Sequence, residues 1–347
     1  MKVRVAKLAG AITVGCLAAT SACAAPASMS AGTAQAATSA SAAQAVTTPA
    51  VAAPAAIKHA VIKHAVIKQA VAGRIVAASP TAAAPTASAS AMSAADGAAG
   101  ATDVQKGVGV WTFDGVNEAL ARSGASWYYT WTPGHSGITT PRGTQFVPMI
   151  WGARDVSTAA LGQVKDEGRY LLTFNEPDNS AQSNMTVTQA LSLWPQLMAT
   201  GMQLGSPAVA NGAATPDGWL DQFMQGATNH GYRVNFIALH WYGGDFVTAA
   251  AVAELKSYLQ ATYARYHLPI WLTEFALIGF DGATAVFPSP GEQAAFLTAA
   301  TQMLRGLSYV QRYSWFGLPA TAEDGSAGLF GPGAVATTAG RAFQVVP

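Results

Sequence analysis

The sequence predicts an α/β protein built as a single (β/α)8 barrel with some shortened helices, preceded by a disordered N-terminal linker. Three observations predict it. Residues 104–347 have the length of one such barrel, about 250 residues. Eight short apolar runs recur along this stretch, as parallel strands buried on both faces require. Helical patterns separate several of them, and no Gly-rich nucleotide loop follows the first run, so an open doubly wound sheet fits less well.

The strands are expected at residues 106–111, 126–131, 145–151, 170–174, 203–206, 235–241, 270–274 and 309–316. Thr186-Val187-Thr188-Gln189 caps a helix running toward Thr200, which Pro195 should kink or split. A further helix spans 254–266. Ser289-Pro290-Gly291-Glu292 is a capping box with Pro in the first helical position, opening a helix toward Arg305. The links around the second and third strands are short, so some barrel helices should be reduced to turns.

Residues 1–24 read as an export signal. Lys2, Arg4 and Lys7 precede a short apolar run from Leu8 to Ala19, and Ala22-Cys23-Ala24 offers a small-x-small cleavage pattern. The run is too short for a membrane span, and no other segment is longer. A secreted or periplasmic protein is therefore expected. Thr20-Ser21-Ala22-Cys23 also resembles a lipoprotein cleavage box, which would leave Cys23 lipidated, although Thr20 stands where Leu is usual. Cys16 and Cys23 are the only cysteines, so residues 25–347 have no disulfide, zinc-thiolate site or cysteine nucleophile.

Residues 25–103 are mostly Ala, Thr, Ser, Pro and Val and lack aromatics, so they cannot bury enough surface to offset chain entropy. They contain a five-residue repeat: Ile57-Lys58-His59-Ala60-Val61, Ile62-Lys63-His64-Ala65-Val66 and Ile67-Lys68-Gln69-Ala70-Val71. A period of five holds no single helical face, and a solvated linker is the simplest reading. A basic tether to an acidic polymer is the functional alternative. From Gln105 onward 12 Lys/Arg face 16 Asp/Glu, a net of −4, which argues against nucleic acid and suits a neutral substrate.

The chemistry is carried by Leu171-Leu172-Thr173-Phe174-Asn175-Glu176-Pro177-Asp178 and by Ile270-Trp271-Leu272-Thr273-Glu274-Phe275. Each is an apolar strand ending on a glutamate. Carboxylates resist burial unless they are paired or used. Two such tips on the fourth and seventh strands suggest two acids facing each other at the mouth of the barrel, the apparatus of glycoside hydrolysis. His240 and Tyr242 bracket Trp241 at the sixth strand's end, and Trp111, Trp131, Trp151 and Trp315 close strands one, two, three and eight. Indoles stack on the C–H faces of sugar rings while polar groups take the hydroxyls. Each residue alone has a plainer reading: a capping turn for Asn-Glu-Pro, core packing for a tryptophan, a satisfied interior histidine for His240. The joint pattern favours a glycosidase site. No cofactor or metal is needed to hydrolyse an acetal with two carboxylates.

At these residues the chain resembles the clan A glycoside hydrolases and, within them, the Asl1-like catalytic domain of glycoside hydrolase family 128. Trp127-Tyr128-Tyr129-Thr130-Trp131, Phe146-Val147-Pro148-Met149-Ile150-Trp151-Gly152, Phe174-Asn175-Glu176-Pro177-Asp178, His240-Trp241-Tyr242 and Trp271-Leu272-Thr273-Glu274-Phe275 carry the resemblance. Thr130 departs from it, since such domains tend to have Asn there. The resemblance implies a retaining β-1,3-glucanase, here expected as an endo-acting monomer, although endo and exo action are not distinguished by the residues themselves. Glu176 would be the acid/base and Glu274 the nucleophile. Asn175 would bond the sugar 2-hydroxyl, Tyr242 would orient Glu274, and His240 would support the site. Trp131, Trp151 and Trp315 would form stacking subsites, with Trp241 also in the binding set. The alternatives are a β-glucan-binding protein with little catalysis, and a glycanase acting on another β-linked polysaccharide.

Overall fold

The computed structural model describes residues 104–281, 284–320 and 326–347. The leader, the linker, the Ile-Lys-His repeat and Cys23 lie outside the described residues. Among the described residues, no helix is long and apolar enough to cross a membrane.

The elements run β1 (Gln105–Gly109), α1 (Val116–Ser123), β2 (Trp127–Tyr129), β3 (Gln145–Phe146), α2 (Thr158–Asp166), β4 (Tyr170–Asn175), α3 (Val187–Met198) and β5 (Gln203–Ala208). They continue with α4 (Trp219–Asn229), β6 (Ile237–Gly243), α5 (Thr248–Tyr266), β7 (Ile270–Leu277), a hairpin β8 (Gly279–Asp281) and β9 (Thr284–Val286), then α6 (Pro290–Arg305) and β10 (Val310–Trp315). A small hairpin, β11 (Phe330–Gly331) and β12 (Val335–Ala336), and helix α7 (Thr338–Val345) close the chain. The result is a mixed α/β fold with seven α-helices among the described residues.

Six strands form one parallel sheet in the order β3-β2-β1-β10-β7-β6, and β4 and β5 form a parallel pair. Single parallel bridges join Met149 to Leu172, next to β3 and β4, and Gly205 to Phe236, next to β5 and β6. The strands are buried on both faces, which is why they read as unbroken apolar runs.

Helix termini follow the sequence signals. Thr186 accepts from the Gln189 N–H at 3.1 Å. At α6 the Ser289 hydroxyl accepts from the Glu292 N–H at 3.3 Å, and the Glu292 carboxylate accepts from the Ser289 N–H at 2.8 Å. Pro195 does not split α3, which runs through to Met198. Only one intrahelical bond is lost three residues from the end, and the neighbouring Trp194 anchors the helix. Its indole is fully buried against Phe174 and Phe223 and donates to the Arg233 carbonyl at 3.1 Å. Helix α5 starts at Thr248 rather than near 254, and the sequence reading did not anticipate the β8–β9 and β11–β12 hairpins or α7.

The strand bounds also differ from expectation. β2 and β3 are short, so Trp131 and Trp151 lie beyond them, whereas β7 runs three residues past Glu274. Arg312 is buried 4.1 Å from the Trp271 ring, 4.7 Å from Tyr170 and 5.6 Å from Trp127. Burial pulls its pKa down to about 10, with Tyr170 opposing the shift. A buried cation is thus caged in aromatic faces.

Candidate active site

Two backbone distortions place the glutamates. Glu176 follows the last residue of β4, and its N–H donates to the Ala208 carbonyl at 2.7 Å. Its φ is 43°, a left-handed conformation that costs a non-glycine residue energy and persists where the surroundings impose it. At Glu274 the distortion is a β-bulge. Leu272 lies opposite Leu239 of β6 and Tyr313 of β10, and Phe275 lies opposite Trp241 and Trp315. Both neighbours therefore see one extra residue in β7 between Leu272 and Phe275. A bulge re-aims the side chain that follows it, which is how a glutamate inside a strand reaches the cleft. Both carboxylates are buried.

The two acids converge. Glu176, His240 and Glu274 each bring an oxygen or ring nitrogen within 4.8 Å of the others. His240 Nδ1 lies 2.9 Å from Glu176 Oε1. Its Nε2 approaches Glu274 Oε1 at 3.4 Å, off the line of a hydrogen bond. Asn179 Nδ2 donates to Glu176 Oε2 at 3.2 Å. At Glu274, Tyr242 OH donates to Oε2 at 2.5 Å and Trp131 Nε1 donates to Oε1 at 2.8 Å, while Tyr129 OH, 3.4 Å from Oε1, donates at 3.0 Å to the Thr273 carbonyl.

Burial, reinforced by the charge of Glu274, pushes the Tyr129 and Tyr242 phenols well above their ordinary pKa. They therefore stay protonated and act as donors. Two residues past Glu176, the Asp178 carboxylate accepts from the Ala210 N–H at 2.8 Å and ties the loop after β4 to the end of β5. Burial raises its pKa, and the charge of Glu176 adds to the shift.

The Glu176–His240–Glu274 cluster is the one group among the described residues whose ligand types and spacing could hold a metal ion. Its surroundings suit an anion better. Indole and phenol donors aim at the oxygens of Glu274, which is how a protein stabilises a carboxylate rather than a cation.

Strand alternation sorts the expected site residues. His240 and Tyr242 point to the carboxylates, while Trp241 between them stacks on Phe296 of α6 at 5.5 Å. Trp315 is likewise buried under α6, 5.0 Å from Phe275, with its indole donating to the Ala327 carbonyl at 2.7 Å. Placing Trp241 and Trp315 in the binding set is therefore corrected: both face the helix layer. The next residue, Phe316, turns to the other side of the strand, where it lies 5.3 Å from Tyr242 and 5.8 Å from Trp111.

Trp151 is half-buried, and its carbonyl accepts from the Asn175 N–H at 2.8 Å, so it stays beside the site with the buried Asn175. Thr130 points away from the cleft, donating to the Gly134 carbonyl at 2.8 Å. Its departure from the family pattern therefore leaves the polar contacts of this segment to Tyr129 and Trp131. Tyr129, Phe316 and Asn179 were not among the expected residues.

A buried carboxylate pair after β4 and within β7, ringed by phenols and indoles, defines a glycoside hydrolase. Residues 109–343 match the family model described as glycosyl hydrolase catalytic core. An endo-β-1,3-glucanase of family 128, subgroup I, from Amycolatopsis mediterranei is 53% identical. Its glutamate-to-alanine variant in complex with laminaripentaose superposes with a TM-score of 0.68 over 70% of this chain and 100% of that one. A subgroup II endo-β-1,3-glucanase from Sorangium cellulosum is 28% identical, with a TM-score of 0.57 over 70% and 98% of the two chains. Alkali-sensitive linkage protein 1 of Schizosaccharomyces pombe (strain 972 / ATCC 24843) is 33% identical over 238 residues, which are 67% of this chain and 41% of that protein. The chain thus spans less than half the length of that relative. It belongs to glycoside hydrolase family 128.

Proposed function

We propose that this protein is an endo-acting, retaining β-1,3-glucanase in which Glu176 is the acid/base and Glu274 the nucleophile. The observation that carries the reading is the convergence of the two buried carboxylates on either side of His240. One oxygen of each group lies within 4.8 Å of an oxygen of the other, which supports the close pair of about 5–5.5 Å used for retention over the wider pair of roughly 6.5–9.5 Å used for inversion. Tyr242 and Trp131 aim neutral donors at the two oxygens of Glu274, an arrangement that suits a fixed nucleophile. Glu176 faces His240 Nδ1, which can accept a hydrogen bond from a neutral carboxyl when the imidazole carries its own proton on Nε2.

The double displacement follows. Glu274 attacks the anomeric carbon as Glu176 transfers its proton to the leaving glycosidic oxygen. The glycosidic C–O bond breaks and a glycosyl ester forms on Glu274. Glu176, now ionised, takes a proton from water, whose oxygen attacks the anomeric carbon and releases Glu274. Two inversions give net retention. Asn175 would bond the sugar 2-hydroxyl, and the partly buried Trp111 and Trp151 would offer faces to neighbouring sugar rings.

The fold is read as a closed (β/α)8 barrel. The bridges from Met149 to Leu172 and from Gly205 to Phe236 support this, because they link β3 to β4 and β5 to β6 and so connect the strand pair to both edges of the six-stranded sheet. The leader sequence supports export.

Family relatives from Amycolatopsis and Sorangium are named as endo-β-1,3-glucanases, and a subgroup III relative from Blastomyces gilchristii, 28% identical, as a curdlan-specific exo-β-1,3-glucanase. The higher identity of the first favours endo action. A time course on laminarin, curdlan, lichenan, mannan and cellulose tests both substrate and mode. Laminarin and curdlan should yield a ladder of oligosaccharides from the first time points. Glucose alone would favour exo action, tight binding without released sugar a binding protein, and products from mannan or cellulose alone another glycanase.

A further inference from the structure

We infer that Trp131 is a positioning residue for Glu274, holding the nucleophile through its indole N–H, and is not a platform for a sugar ring. The inference rests on the reading of Glu274 as nucleophile and adds a residue to its support.

Three observations carry it. First, Trp131 is buried, and its indole has no free face to offer a pyranose. Tyr129 lies 4.6 Å away, Trp111 5.9 Å and Phe316 6.0 Å, the last edge-on. Second, its single polar atom points at Glu274 Oε1, at 2.8 Å. An indole N–H is donor-only and does not titrate in the working pH range, so it favours one state of its partner, the carboxylate. Tyr242, the other donor to Glu274, can rotate its hydroxyl and accept instead.

Third, the chain bends to put the indole there. Trp131 has a φ of 57°, and the space its ring occupies exists because position 109 is glycine: a Cβ at Gly109 would lie 2.5 Å from Trp131 Cη2. Core Trp127 and Trp241 also face glycines, Gly107 and Gly243, but pack without a left-handed backbone. The positive φ at Trp131 is what sets it apart and turns its N–H to one oxygen.

Trp131→Phe tests this, because it keeps a flat ring and removes the donor. With an activated aryl laminaribioside, the pre-steady-state release of the aryl group reports attack by Glu274. We expect that rate to fall about 10- to 100-fold in Trp131→Phe, the range for losing a hydrogen bond to a charged group. KM for laminarihexaose should stay within about threefold, because no sugar contact is lost. Gly109→Ala is the second variant. Its methyl displaces the indole without altering Trp131, and it should slow the same step with the same small change in KM.

A merely structural tryptophan would lower the thermal midpoint and leave the burst rate of the folded fraction unchanged, and a sugar platform would raise KM and spare the burst. Either pattern overturns the inference, and if Trp131→Phe fails to fold, Gly109→Ala decides. Glu274→Gln is run in parallel. If it keeps turnover, the nucleophile assignment itself is wrong; if it is inactive while Trp131→Phe and Gly109→Ala burst normally, only the role of Trp131 is.

Discussion

Glu274→Gln should reduce turnover on laminarin by about 10^4- to 10^6-fold, the scale seen when a covalent nucleophile is removed. An amide oxygen cannot form the glycosyl ester, so the first step has no route. The side chain's shape is kept, and Gln can still accept from Trp131 Nε1 while Tyr242 turns its hydroxyl to accept from the new amide. Binding of laminarihexaose should therefore survive within a few-fold. Glu274→Gly sharpens the test by leaving a cavity in which azide can replace the lost carboxylate. Turnover of an activated glycoside should partly return, and the product should be the α-glycosyl azide, the outcome of a single inversion. Near-native turnover in Glu274→Gln, or no response to azide in a folded Glu274→Gly, would remove Glu274 from the nucleophile's role.

Glu176→Gln should cost about 10^2- to 10^4-fold on laminarin, the usual contribution of a general acid/base. Its dependence on the substrate is more informative than its size. A β-1,3-glucan has a poor leaving group and needs the proton, whereas an activated aryl laminaribioside does not. With the aryl substrate the first step should stay fast in Glu176→Gln, and the glycosyl-enzyme should accumulate because water lacks its base. Azide needs no base and should release that intermediate as the β-glycosyl azide. The two substitutions therefore predict azide products of opposite configuration. Exchanged outcomes would mean that the two roles are exchanged.

Much of this site was legible in the sequence, and the parts that were not have identifiable causes. Apolar runs buried on both faces mark β4, β6 and β7 clearly, and Glu176, His240, Tyr242 and Glu274 stand out because polar side chains on such strands need a use. The inward or outward direction of an aromatic is harder to read. Trp241 and Trp315 stood at strand ends like the functional residues, yet each is one residue out of phase with the cleft and packs under α6. In strands this buried on both faces, an indole facing out is as apolar as one facing in, so composition carries no phase.

The same blindness hid Phe316 and Tyr129. The bulge in β7 was invisible for a different reason. An extra residue leaves no mark in an apolar run, and only pairing with β6 and β10 reveals it. Trp131 was read as a stacking surface because a tryptophan near a sugar site is expected to be one; its positive φ and facing glycine are tertiary facts.

The neighbouring carboxylates should impose one stereochemical result, and proton NMR of laminarihexaose during its first minutes of hydrolysis reads it directly. With the acids this close, the new reducing end should appear as the β-anomer and only later equilibrate with α. Release of the α-anomer first would require a water between the acid groups and would contradict the double displacement.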